Sequence, residues 1–271
     1  MSQTDDFVFH FSSAGALLSI LTERQLWATD VEYLNDKFEG QLPSRMLGLM
    51  ADKPESFLQG FSTTRKHQEA LKLSLNHGLV TCSVSFSEYY RSLPQYRMYC
   101  PPAGGYAIGF RKDYLSKLGL FLKCDYSNDN LRQWCRKYAL KFLSDAASLD
   151  KDGISPQELC IKIISSNSYI RDRVIAGLTF KSDEFVNERE HRLVLFGLPK
   201  EYRESQLRNA IVPYSIVALP NEETSVMVAA GPNREPGYSG RTIGSLSSAA
   251  RNAGTVWKFS HLGTGEFGFR A

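Results

Sequence analysis

No apolar run in this chain approaches the roughly 20 residues that a membrane-spanning helix needs. The segment Met1 to Asp6 is polar and acidic, without the basic start and apolar stretch of a secretion signal. Cysteine is scarce. Cys82, Cys100, Cys124, Cys135 and Cys160 are an odd set, none spaced as C-x-x-C and none near a histidine in a ligand-like pattern. That argues against a disulfide framework and against structural zinc, and a thiol nucleophile has no evident histidine partner. Together these absences lead us to expect a cytoplasmic protein with no membrane partner and no bound metal. Charge of one sign is also lacking: 32 basic residues against 29 acidic ones leave a formal net charge of +3. So small an excess does not itself argue for nucleic acid, although a local basic face can hide inside a balanced total. Neither G-x-x-x-x-G-K-[ST] nor G-x-G-x-x-G occurs, so the common phosphate-cradling loops are excluded.

What is present is ordinary globular composition over 271 residues, 42% hydrophobic and 23% charged. Alternating or β-branched runs predict strands at Phe7 to Phe11, Gln25 to Thr29, Leu79 to Phe86, Tyr106 to Phe110, Leu120 to Tyr126, Glu190 to Phe196, Ile211 to Leu219, Val226 to Ala230 and near Trp257 to Ser260. Helical periodicity covers Ala14 to Arg24, most of Ser44 to Gly78 with a break at Pro54, Asn130 to Leu149, most of Ser155 to Asp183, and Ser239 to Asn252. Strands at both ends with helices between them suit one α+β domain over 1-271, its ends meeting in sheet and a helical insertion at about 127-180. They disfavour a doubly wound parallel sheet.

Four segments are too specific for scaffold alone. His10 sits on a short strand just before Ser12 and Ser13. It is either a satisfied structural histidine or a ligand-holding group beside a helix N-terminus, which favours anions. Asn35 and Asp36, with Glu39, either cap the next helix or rim a pocket. Tyr96 and Tyr99 precede a Gly104-Gly105 turn. They are either edge packing or a stacking platform for a flat ring. Finally, on a strand from Glu188 to Phe196, alternation sets Glu188, Glu190 and Arg192 on one face, opposite Arg189, His191, Leu193 and Leu195. Acids and a base on an otherwise apolar strand must be paired or used. A buried Glu–Arg pair is one outcome. A site, in which one carboxylate holds a sugar hydroxyl and the other orients a nucleophile, is the other.

Taken in order, these segments resemble a bacterial family, domain of unknown function 2971. The resemblance is carried by His10-Phe11-Ser12, Leu26-Trp27-Ala28-Thr29, the Asn35-Asp36-Lys37-Phe38-Glu39 stretch, Cys82 through Ser87, Gln95 through Cys100, Gly105 through Phe110, and Lys181 through Arg192. Tyr96 and Phe185 stand where the family has tryptophan. The family is in turn distantly similar to ADP-ribosyltransferases. That likeness implies two small, mostly antiparallel sheets forming a cleft that binds NAD. It implies His10 and Ser12 on the adenosine side, with Asn35 at the rim. Tyr99, with Tyr96 beside it, would stack on nicotinamide, Glu190 would support an oxocarbenium-like state, and Glu188 would position the acceptor. Lys181 and Arg192 would balance pyrophosphate charge. The resemblance implies a toxin or anti-phage effector with a nucleic-acid or protein acceptor and an antitoxin or immunity partner. Two other readings remain: a non-catalytic nucleotide or nucleic-acid sensor, and a metal-dependent nuclease built on Asp36, Glu39, Glu188 and Glu190.

Overall fold

β-branched and aromatic runs gather at the two ends of the chain and helical stripes fill much of the middle. The computed structural model describes residues 4–34, 40–58, 63–101, 104–166, 168–199, 201–205, 210–232 and 236–262. In chain order its elements are β1 (Phe7–Ser12), α1 (Ala14–Glu23), β2 (Gln25–Asp30), α2 (Leu42–Asp52), α3 (Pro54–Phe57), α4 (Arg65–Ser74), β3 (Thr81–Ser87), α5 (Leu93–Tyr99), β4 (Tyr106–Arg111), α6 (Lys112–Ser116) and β5 (Leu120–Lys123). They continue with α7 (Asn128–Leu149), α8 (Pro156–Ser166), α9 (Tyr169–Thr179), β6 (Glu190–Phe196), β7 (Glu201–Ser205), β8 (Ala210–Ala218), β9 (Thr224–Ala230), α10 (Pro236–Asn252) and β10 (Trp257–Leu262). Two 3-10 turns lie at Val31–Tyr33 and Asp183–Glu188. The chain divides into two compact units. A sheet unit collects Met1–Asp30, Thr81–Lys123 and Asn187–Ala271, and a helical unit collects Val31–Val80 and Cys124–Val186.

In the sheet unit the strands run in the order β10-β9-β4-β1-β3-β2-β8-β7, with β6 against β3 and β5 against β6. The pairings are antiparallel except for β10 beside β9. The expectation of two separate sheets is therefore corrected: the strands join through β3 into one hydrogen-bonded sheet. Strand β1 is buried on both faces. Val8 enters a large core with Leu17 and Leu21 of α1, Phe110, Leu193 and Val228. Phe7, Phe9 and Phe11 enter a second cluster with Tyr96, Ala107 and Met227. Ser13 caps α1 by accepting from the Ala16 amide at 3.2 Å.

The helical unit packs α2, α4, α7, α8 and α9 around Leu47, Met50, Leu71, Phe142 and Tyr169. The stripe along α7 buries Leu131, Cys135, Tyr138, Phe142 and Leu143. The largely helical stretch expected over 155–183 is α8 followed by α9. No helix among the described residues is long and apolar enough to cross a membrane.

Candidate functional site

The site opens where β3 cannot satisfy two neighbours at once. One of its edges pairs with β6 along the whole strand, from Thr81↔Phe196 to Ser87↔Glu190. Its other edge is shared. Ser83 and Cys82 pair with β2, whereas the pairing with β1 is the single match Phe9↔Ser87. Between these points β1 and β3 splay apart, and the backbone groups of the gap need partners from elsewhere. His10 supplies one, its Nδ1 lying 3.0 Å from the Ser85 carbonyl oxygen. A carbonyl can only accept, so Nδ1 carries the proton and Nε2 is left as an acceptor. Burial lowers the His10 pKa, the Ser85 bond works against that, and the charge of Arg203 adds to the lowering. A neutral imidazole is the result.

The splayed strands enclose a cavity lined by Phe9, His10, Phe11, Ser85, Phe86, Gln95, Tyr99, Glu188 and Glu190. Its empty space, counted out to open solvent, is ≈ 340 Å³. Phe9 can lie across β4 only because Gly109 faces it, since a Cβ there would meet the ring at 2.5 Å.

Both acids reach this cavity, by different routes. Glu190 begins β6, and its side chain is 8% exposed. Arg192, fully buried on the same face, donates Nε to Oε1 at 2.9 Å and Nη2 to Oε2 at 2.8 Å. This two-pronged geometry is the strong form of the pair. The expected common face holds for Glu190 and Arg192. It fails for Glu188, because Arg189 takes a left-handed conformation at φ 43 and the strand starts only after it. Glu188 instead ends a 3-10 turn. Its carbonyl accepts from Ser87 Oγ at 2.7 Å, which holds the turn against β3.

Four of the expected site residues, His10, Tyr99, Glu188 and Glu190, thus meet in one place. The others do not join them. Arg192 has no exposure with which to face pyrophosphate and is a positioning partner of Glu190. Tyr96 is buried edge-on against Phe11, with ring centroids 4.8 Å apart, and does not line the cavity. Ser12 is buried, and its neighbour Ser13 does the capping. Lys181 belongs to the helical unit, where it is buried and lies over the Phe185 ring at 5.0 Å. Asn35, Asp36 and Glu39 lie outside the described residues. Among the described residues, no group of three or more His, Cys, Asp or Glu could hold a metal ion.

Gln95 was not foreseen. Its signal was available: in helix α5, Gln95 and Tyr99 are four apart and share a face.

No family model, curated protein or solved structure matches this chain. The resemblance noted above therefore rests on the quoted residues, and the chemistry on the cavity. That cavity offers a neutral histidine acceptor, a flat ring, an amide, one half-buried carboxylate and one buried carboxylate fixed by arginine. Such a set suits a flat ring joined to a sugar. The carboxylates accept sugar hydroxyls and favour positive charge developing between them.

Proposed function

We propose that the sheet unit binds NAD by its nicotinamide-ribose end and transfers the ADP-ribosyl group to an acceptor. The observation that carries this is the convergence of His10, Tyr99, Glu188 and Glu190 from three separate chain segments on one cavity.

In this reading the bond from ribose C1′ to the nicotinamide nitrogen breaks, and its electron pair leaves with nicotinamide. The acceptor's lone pair forms the new bond at C1′, and its proton passes to Glu188. Glu190, held by Arg192, accepts a ribose hydroxyl and stabilises the cationic sugar. Tyr99 stacks on the departing ring. With water as acceptor the product is ADP-ribose. The ADP-ribosyltransferase assignment and the toxin or anti-phage role stand on the family likeness alone.

A second reading is favoured by one specific feature. Arg192 engages both oxygens of Glu190, as in a purely structural pair, and the cavity would then hold a nucleotide without acting on it.

The test pairs thermal shift with detection of nicotinamide. Glu188→Gln is the informative variant, because Glu188 is only half-buried, whereas Glu190 cannot be removed without stranding Arg192. Wild type should be stabilised by NAD and should release nicotinamide. Glu188→Gln should keep the stabilisation and lose roughly 10²–10³-fold in release, the effect typical of one electrostatic group. Stabilisation without any nicotinamide from wild type would select the sensor reading. Neither stabilisation nor nicotinamide would sink both.

A further inference from the structure

Beside the cavity, the sheet unit collects cations and two tyrosine rings, one of them exposed, that the proposed reaction leaves unused. Three permanent cations share the carboxylate of Glu88: Lys123 Nζ at 3.0 Å, Lys112 Nζ at 3.8 Å and Arg189 Nη1 at 3.9 Å. His191 Nε2 also approaches it, at 3.8 Å. The carboxylate is sunken at 18% exposure, while Lys123 and Arg189 are 65% and 52% exposed. Glu88 thus orients the cations without covering them. Arg111 does not belong to this group, because Asp113 takes its guanidinium at 2.9 Å on both prongs.

Rings alternate with these charges. Arg189 lies over the Tyr89 ring at 4.6 Å, and Tyr89 is 45% exposed. The exposed Arg91 lies over Tyr90 at 5.1 Å. Tyr90 rests on Phe9 with centroids 5.3 Å apart, and Phe9 is a wall of the cavity. Arg189 is flanked by Glu188 and Glu190, which line that cavity. The patch and the cavity therefore share a border.

We propose that this border is a docking surface for single-stranded nucleic acid, whose phosphates are held by Lys112, Lys123, Arg189 and Arg91 and whose bases stack on Tyr89. Cations alone would serve any polyanion. The exposed Tyr89 ring set among them favours a strand whose base faces are free, because every base has a face to stack and a duplex hides it. Resting on the transfer reading, the strand is also the acceptor class of that reaction: a base or sugar nucleophile of the strand bonds to C1′ as nicotinamide leaves, and gives up its proton. The binding itself does not depend on that reading.

The experiment is fluorescence anisotropy of a labelled oligothymidylate, and of an oligouridylate, over a salt series and without NAD. Wild type should bind at low salt. The logarithm of its association constant should fall by roughly 2–3 per decade of salt, as three or four neutralised phosphates of a single strand require. Lys123→Gln/Arg189→Gln should bind at least about tenfold more weakly and flatten that slope by roughly 1.4. Glu88→Gln should bind more tightly, a gain that misfolding cannot produce. Absence of wild-type binding at low salt, equal binding of a duplex of the same length, or failure of Glu88→Gln to tighten would each overturn the proposal. Nicotinamide release is measured separately, so a failure of the transfer chemistry leaves the oligonucleotide affinities as they are, and the reverse.

Discussion

Two of the buried arginines, Arg192 in the sheet unit and Arg173 in the helical unit, are neutralised in opposite ways. In the sheet unit Arg192 meets a full countercharge, the carboxylate of Glu190, with two hydrogen bonds. In the helical unit Arg173 of α9 donates to Ser44 Oγ at 2.7 Å, to the Ser74 carbonyl at 3.4 Å, and to the carbonyl of His77. Ser74 is the last residue of α4, so Arg173 sits where unpaired carbonyls and the negative end of the helix dipole gather. Burial pulls the Arg173 pKa down, and Tyr138 works against it. The helical unit thus solvates a cation with dipoles and closes a core. The sheet unit sets a charge pair against a cavity, where a carboxylate must be held rigid while one side of it stays open. A buried charge beside empty space is the feature that separates the candidate site from structural chemistry.

This contrast predicts unequal damage from the same substitution. Arg192→Met leaves Glu190 buried without its partner and should cost about 3–5 kcal/mol in denaturant unfolding, with Glu190→Gln/Arg192→Met recovering most of it. Arg173→Met strands no carboxylate, only a hydroxyl and carbonyls, and should cost about 1–3 kcal/mol. Equal costs would break the comparison, and a double variant no better than Arg192→Met would show that Glu190 is satisfied by other means.

The smallest effect concerns acid. Burial lowers the pKa of His10, and of His191, below the ordinary 6.5. The unfolded chain therefore binds these protons more readily, so the stabilisation is fully present above about pH 6.5 and is lost as pH falls below it. The loss is up to roughly 1.4 kcal/mol per pH unit for each group, ending at its folded pKa. Melting temperature should drop on acidification over that range, and His10→Gln should flatten part of the drop. An unchanged profile in His10→Gln would mean that His10 protonates freely. Glu88, which burial tends to raise but Lys123 and its other cations hold low, adds its own loss only below about pH 4.5.

Much of the sheet was legible because its strands carry their own pattern. The alternation in 7–11 and 190–196 survives in β1 and β6, and the stripe of α7 survives intact. Strand β7 was missed, since Glu201–Ser205 is mostly charged and polar and pairs only as an edge beside β8. In sequence the tyrosines of α5 look alike. In the helix Tyr96 turns into the Phe11 cluster while Tyr99, three residues on, reaches the cavity. Glu88 and its ring of cations gave no sequence signal, because Lys112, Lys123 and Arg189 come from distant segments.

By itself, then, the sequence determined which stretches would be strand or helix and that Glu190 and Arg192 would share a face, because period and side-chain direction are local properties of the backbone. Only the tertiary structure decided that β1 and β3 part after Phe9↔Ser87, that Arg189 turns the chain so Glu188 reaches the same cavity, and that His10 and Tyr99 face it too. Those outcomes depend on strand pairings between residues far apart in the chain, and such pairings are selected by the packing of the whole sheet rather than by any one segment.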